Sequence, residues 1–271
     1  MDAGADVCVT SIHKMGSGLE QGSVFHLRGD LIDHDTLASR ADLLGTTSPS
    51  VLLGWRRQMV LEGHTLMSRA LDLAASVREE IESIDGMHVN DRDDFCGPGA
   101  GSDFDPLPVV IDISDLGVSG YRAADWLREH HHLDTHLMDH RRISAQLTHA
   151  DDDETTKRLM TALRDLARRA PALPRGPDVA VPAPAELRME QARLPRDAYF
   201  HGTEDVPVEE AVGRVAAEMI TPYPPGIPVV LPGERLTEPV LNYLLTGLEA
   251  GMNLPDPADP ELHTVRVCAD D

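Results

Sequence analysis

Aromatic residues are scarce in this chain of 271 residues, at 4% against 41% hydrophobic residues in all. Any core must therefore be built from Leu, Val, Ala and Ile rather than from packed rings. Cysteine is equally thin. Cys8, Cys96 and Cys268 lie far apart without C-x-x-C spacing, which argues against a disulfide framework or a zinc ribbon and for a reducing compartment. Basic residues are outnumbered, 24 Lys and Arg against 46 Asp and Glu, for a formal net charge of −22. Nucleic acid and anionic membrane both require clustered Lys and Arg, so neither is expected as a partner. An acidic field suits a cationic amino acid or amine, though many soluble proteins are acidic without that role. The N-terminus has no basic-then-apolar leader pattern, and no apolar run reaches the length of a membrane span. The expectation is a cytoplasmic globular protein with room for one large or two modest domains.

The pattern along the chain alternates strands and helices. Residues 2–11 read as the end of a buried strand and 24–28 as a second strand. Asp30 or Asp33 is placed to cap a helix running to Leu44, which the Gly45-Thr46-Thr47-Ser48-Pro49 break ends. Residues 51–84 carry a helical pattern in which Leu53, Met59, Leu61, Leu66, Leu71, Leu73, Val77 and Ile81 form a broad apolar face. After a polar, glycine-rich loop at 91–105 come a strand at 109–113 and a helix at 121–130. Strands at 133–138 and 143–147 and a helix at 153–169 follow. That order predicts a small sheet covered on one face by helices. Residues 170–184 are rich in proline and alanine and read as a linker, with a last α/β unit over 194–267.

The segment with the clearest chemistry is Ser11-Ile12-His13-Lys14, followed by Met15-Gly16-Ser17-Gly18. It sets one lysine between a strand-like run and glycine-rich chain, with Ser11 and His13 able to hydrogen-bond an anion. A lysine so held can carry a Schiff base. The segment resembles the cofactor-lysine motif of the bacterial ornithine/lysine/arginine decarboxylases, which use pyridoxal 5′-phosphate. Glu20 departs from that pattern, standing where the family has a small residue. Met1-Asp2-Ala3-Gly4-Ala5-Asp6 resembles the family's strand leading to the lysine, so Met1 is read as internal to a longer ancestral frame. The Thr46-Thr47-Ser48-Pro49 run resembles a second family element, and the long helix after it resembles the one that links the domains of such enzymes.

The third resemblance is the longest. Leu194-Pro195-Arg196-Asp197-Ala198-Tyr199-Phe200, Pro222-Tyr223-Pro224-Pro225-Gly226-Ile227-Pro228 and Pro232-Gly233-Glu234 match C-terminal motifs of the same decarboxylases. So many prolines and glycines predict a rigid surface element. The resemblance implies that it shapes the site entrance and subunit contacts, with Tyr223 and Glu234 structural. A proline-rich ligand for an SH3-like module is the alternative, disfavoured because the run sits between apolar strands.

The resemblance implies the fold of the C-terminal part of a fold-type-I, pyridoxal-phosphate-dependent enzyme. Its expected plan is an α/β remnant of the cofactor domain with the linking helix (1–84) and a small α/β domain (85–169). A linker (170–187) and a C-terminal α/β decarboxylase domain (188–271) complete it. It implies α-decarboxylation of lysine, ornithine or arginine. Lys14 carries the cofactor, Ser11 and His13 help hold its phosphate, and Thr46 reaches the phosphate of a neighbouring subunit. A homo-oligomer, or association with a complementary decarboxylase chain, follows from that sharing. The alternative is a non-catalytic remnant or partner subunit, favoured by Glu20, by Pro108 where the family has a lysine, and by His136 where it has an acidic residue. No metal is expected. His132, His136 and His140 recur every fourth residue, but a strand flanked by turns would scatter them over the surface.

Overall fold

Val7–Ser11 (β1) and Ser23–Leu27 (β2) pair antiparallel, with Val9 opposite Phe25 and Ser11 opposite Ser23. The computed structural model that shows this describes the chain except residues 3, 15, 17, 19–21, 45–48 and 271. Within helices it describes only the backbone of residues 42, 44 and 49–52. The sequence predicts a buried strand end at 2–11. Instead the hairpin is a two-stranded sheet, and Cys8, Val9, Phe25 and His26 are exposed. Two strands alone cannot cover both of their faces.

Helices follow the sequence pattern closely because their ends are marked by side chains. Asp33 Oδ1 accepts the Thr36 N–H at 2.6 Å and starts His34–Leu44 (α1). Pro49–Glu82 (α2) begins with proline, whose missing N–H costs nothing in a first turn. The buried stripe of α2 is Ala70, Ala74, Val77 and Ile81, at helical spacing. Leu53, Leu61 and Leu71, assigned to the apolar face from sequence, are exposed instead. Counting large side chains overlooks that small Ala70 and Ala74 mark the face where a neighbour packs close.

The chain forms two compact units. One comprises residues 1–79, 105–109 and 146–158, and the other residues 80–104, 110–145 and 159–271. His88–Asn90 (β3), absent from the sequence expectation, is an edge strand that pairs antiparallel with Pro108–Asp112 (β4). Arg92–Phe95 (α3) is a single capped turn inside the polar loop, where Asp91 and Asp94 form a capping box. Gly120–His131 (α4) starts at Ser119, whose side chain accepts the Arg122 N–H. The strand expected at 133–138 shrinks to Leu137–Met138 (β5). It pairs antiparallel with Arg142–Gln146 (β6), in the sheet order β3-β4-β6-β5. His132 at the α4 C-cap has a left-handed φ of 50°, so the chain turns there before it can extend.

Asp153–Arg169 (α5) has Asp153 and Glu154 in its first turn and Arg168 and Arg169 in its last, matching the helix dipole. After Pro195–Tyr199 (α6), Thr203–Pro207 (β7) pairs antiparallel with Thr264–Cys268 (β8), and Glu238–Ala250 (α7) lies between them in sequence. Ile220, Val230, Leu236, Val240, Leu244, Leu254 and Val265 are the heart of this core. Tyr121 of α4 is buried in the same cluster, and Met138, Val179 and Met189 pack against it.

Candidate functional site

Ile12 organises the segment around Lys14. It is 1% exposed, and the chain wraps it: its N–H donates to the Gly22 carbonyl and its carbonyl accepts the Gly18 N–H, both at 2.8 Å. A Cβ at Gly16 would lie 2.8 Å from the Ile12 carbonyl oxygen, and one at Gly18 would lie 2.6 Å from the Ile12 Cγ2. Glycine at both places is therefore a packing requirement. The Lys14 N–H reaches back to the Ser11 carbonyl at 3.4 Å, so the lysine rides on a turn directly after β1, and it is exposed.

Ser11 and His13, the two neighbours expected to bind an anion, lie at the end of β1 and on the same turn. Ser11 ends β1 half-buried, and among the described residues its hydroxyl has no hydrogen-bond partner. The His13 ring is held by Gly22. Its Nδ1 lies 2.8 Å from the Gly22 carbonyl and 3.1 Å from the Gly22 N–H. One nitrogen cannot serve both at once. When Nδ1 accepts the amide proton, Nε2 carries the proton of the neutral ring and can donate it to an anion. Thr46, and with it the shared-site expectation, lies outside the described residues, as does Glu20.

Ser11, His13 and Lys14 bring a hydroxyl, an imidazole and a primary amine to the end of one strand and the turn after it. That donor set fits an aldehyde bearing a phosphate, the chemistry of pyridoxal 5′-phosphate. Lys14 would hold the aldehyde carbon, with Ser11 and His13 toward the phosphate.

Sequence reading missed Trp55 of α2 as part of this arrangement. Its Nε1–H donates to the Gly16 carbonyl at 2.7 Å. The available signal was rarity: the chain has two tryptophans, and this one follows the Ser-Pro element.

The remaining singled-out residues serve structure. Pro108 opens β4, and its carbonyl accepts from Arg78 at 3.1 Å; His136 is exposed, with its N–H on the Ser144 carbonyl. His132 caps α4, His136 precedes β5 and His140 sits in the β5–β6 turn, so the four-residue spacing makes no helical stripe. His131 pairs with Asp165 at 3.0 Å, and His130 stacks on Trp126. Among the described residues no cluster of His, Cys, Asp or Glu is arranged to hold a metal ion, and no helix is long and apolar enough to cross a membrane.

The proline-rich element is tied to its surroundings through the backbone. The Tyr223 N–H donates to the Asn253 carbonyl at 2.9 Å, and Glu234 Oε2 accepts the Leu231 N–H at 2.8 Å. Gly233, at φ 92°, leaves no space for a side chain, since a Cβ would meet the Arg193 carbonyl oxygen at 2.2 Å. The 191–193 segment is thereby laid against the Pro-Gly-Glu turn. Glu218 is buried, and its carboxylate accepts the N–H groups of Ala258 and Arg266, each at 2.7 Å.

The chain is similar in its mixed α/β fold to solved bacterial lysine decarboxylases. The constitutive lysine decarboxylase of Escherichia coli superimposes with a TM-score of 0.71 at 18% identity, over 96% of this chain and 49% of that one. The Francisella novicida lysine decarboxylase does so with a TM-score of 0.69 at 20% identity, over 96% and 46%. Residues 2–93 match the family model for the Orn/Lys/Arg decarboxylase major domain, and residues 180–270 match that for the Orn/Lys/Arg decarboxylase C-terminal domain. This chain belongs to the Orn/Lys/Arg decarboxylase family. It is 34% identical over 275 residues to an arginine decarboxylase of Bacillus subtilis, covering 98% of this chain and 55% of the relative. Over 60 residues it is 52% identical to the inducible lysine decarboxylase of Escherichia coli, 21% of this chain and 8% of that enzyme. The chain spans about half the length of the curated relatives it matches along its whole extent.

Proposed function

We propose that this chain supplies the lysine-bearing end of the major domain and the C-terminal domain of a pyridoxal-phosphate-dependent decarboxylase. Its substrate is a basic amino acid: lysine, ornithine or arginine. The observation that carries the reading is Lys14, an exposed residue on a turn built around Ile12, beside the Ser11 hydroxyl and an oriented His13 ring. When bound, the cofactor supplies the electron acceptor that lets the substrate carboxylate leave as carbon dioxide. Lys14 offers Nζ as the attachment point. Ser11 Oγ–H and His13 Nε2–H would hold the phosphate of the cofactor and so orient it toward Lys14. Thr46 serves the site of a second subunit, and the assembly works in the cytoplasm.

A second reading is favoured by Pro108 and His136, which stand where the family has a lysine and an acidic residue. In it the chain is a non-catalytic partner subunit of a full-length decarboxylase.

The test combines the purified chain with the complementary major-domain region of the Bacillus subtilis arginine decarboxylase and pyridoxal 5′-phosphate. Carbon-dioxide release is followed with each basic amino acid. Turnover is expected only from the mixture, and Lys14→Ala abolishes it. Turnover of the mixture that survives Lys14→Ala removes the catalytic reading. Lys14-dependent turnover by the 271-residue chain alone shows instead that these residues suffice.

A further inference from the structure

Trp55 touches the lysine turn in two ways. Its indole N–H meets the Gly16 carbonyl at 2.7 Å in a partly buried setting, 39 residues away in sequence. Its Cδ1 lies 3.4 Å from where a Gly18 Cβ would be, so the ring edge runs along the turn. Among the described residues, the other hydrogen bonds of residues 12–18 stay within the hairpin. The indole is therefore, among the described residues, a hydrogen-bonded link from this turn to α2. A lysine side chain is a flexible four-carbon stem, and where its amine can reach depends on how firmly its backbone is held. Indole is a donor only, aimed here at a half-buried carbonyl whose polarity needs a partner. A ring that merely filled space would need no such alignment.

We infer that Trp55 is a positioning residue for Lys14: it ties Gly16, two residues on, to α2 and so aims the amine toward an aldehyde-phosphate ligand. This rests on the reading of Lys14 as the carrier lysine.

Lys14 and Lys157 are the lysines of the chain, so covalent labelling reports on each and Lys157 serves as an internal reference. The full chain and its Trp55→Phe variant are exposed to limiting pyridoxal 5′-phosphate, fixed with borohydride and mapped by peptide mass spectrometry across a range of pH. Circular dichroism verifies the helix content of both. In Trp55→Phe the Lys14-to-Lys157 labelling ratio is expected to fall by about three- to tenfold, the weight of one net hydrogen bond. Lys157 labelling stays constant, and Trp55→His, which retains a ring N–H, recovers part of the ratio. An unchanged ratio in folded Trp55→Phe overturns the inference.

Should that variant not fold, the same question is put to the native tryptophan in a Trp126→Phe background. Emission from Trp55 is expected to drop when Lys14 is derivatised and to remain when Lys14→Ala is treated alike. Undiminished emission after full Lys14 labelling overturns the inference. Failure of the functional reading looks different: the Lys14→Ala mixture keeps its turnover while the labelling ratio still responds to Trp55.

Discussion

Ser119 joins two helices that are 131 residues apart: its Oγ donates to the Ala250 carbonyl at 3.0 Å, while the same oxygen accepts the Arg122 N–H at 3.3 Å. The N-cap of α4 is thereby the partner of a terminal carbonyl of α7, and both residues are buried. Beside them Gly251 leaves α7 at φ 104°, with Tyr121 so close that a Cβ would approach its Cβ to 3.2 Å. The sheet-bearing segment and the C-terminal segment share one core at this point.

Ser119→Ala is expected to lower stability by about 1–3 kcal/mol, because it removes a cap and leaves the buried Ala250 carbonyl unpaired. Urea unfolding followed by circular dichroism measures it. An unchanged midpoint at constant slope would show that water replaces the hydroxyl at no cost.

Acid should weaken the fold through Asp112. Burial acts to raise the pKa of this carboxyl. Hydrogen bonds from the Ser114 hydroxyl and N–H, with the Arg141 and Arg142 guanidinium groups, outweigh burial and hold it below the usual carboxylate range. A depressed folded-state pKa gives stability that is complete above the unfolded value, near about 4, and is lost as pH falls through the lower folded value. Asp112→Asn should therefore be less stable near neutrality and show a shallower acid limb. Unfolding free energies from about pH 7 down to about pH 2.5 provide the comparison. Parallel curves for the two proteins would rule Asp112 out as the source.

Limited digestion with a protease of broad specificity should cut first within residues 170–187. Residues 174–182 carry no regular structure and Arg175 is exposed, but further on the Ala180 N–H is bound by Thr246 Oγ1 at 3.0 Å and Val179 packs on the core. The first cut is expected on the N-terminal side of Val179. Earlier cleavage within residues 224–234 would contradict a tether at this place.

The purified chain should self-associate. Val9 and Phe25 face each other across the β1–β2 ladder at 56% and 47% exposure, and Leu53, Val60 and Leu61 of α2 are more exposed still. Open strand edges and bare apolar pairs favour association. Light scattering over a wide concentration range is the measurement, with Val9→Thr/Phe25→Thr expected to reduce the effect. A monodisperse monomer throughout would end the proposal.

Much of this was legible in the sequence, because short-range chemistry writes it there. Asp33 before α1, Pro49 at the start of α2 and the acidic-to-basic gradient of α5 are local devices, readable without knowing what packs where. The Ser11-to-Gly18 motif likewise announces a lysine on a turn, and the family match was carried by contiguous residues. Tertiary structure alone decided which face of α2 is buried, since Ala70 and Ala74 gain their meaning from a close neighbour that periodicity cannot name. It alone decided that His88–Asn90 is a strand, because three residues become one only when β4 offers a partner edge. It alone joined Trp55 to Gly16 and Ser119 to Ala250. Those bonds depend on the folded path of the chain over 39 and 131 residues, and no local propensity encodes a distance of that kind.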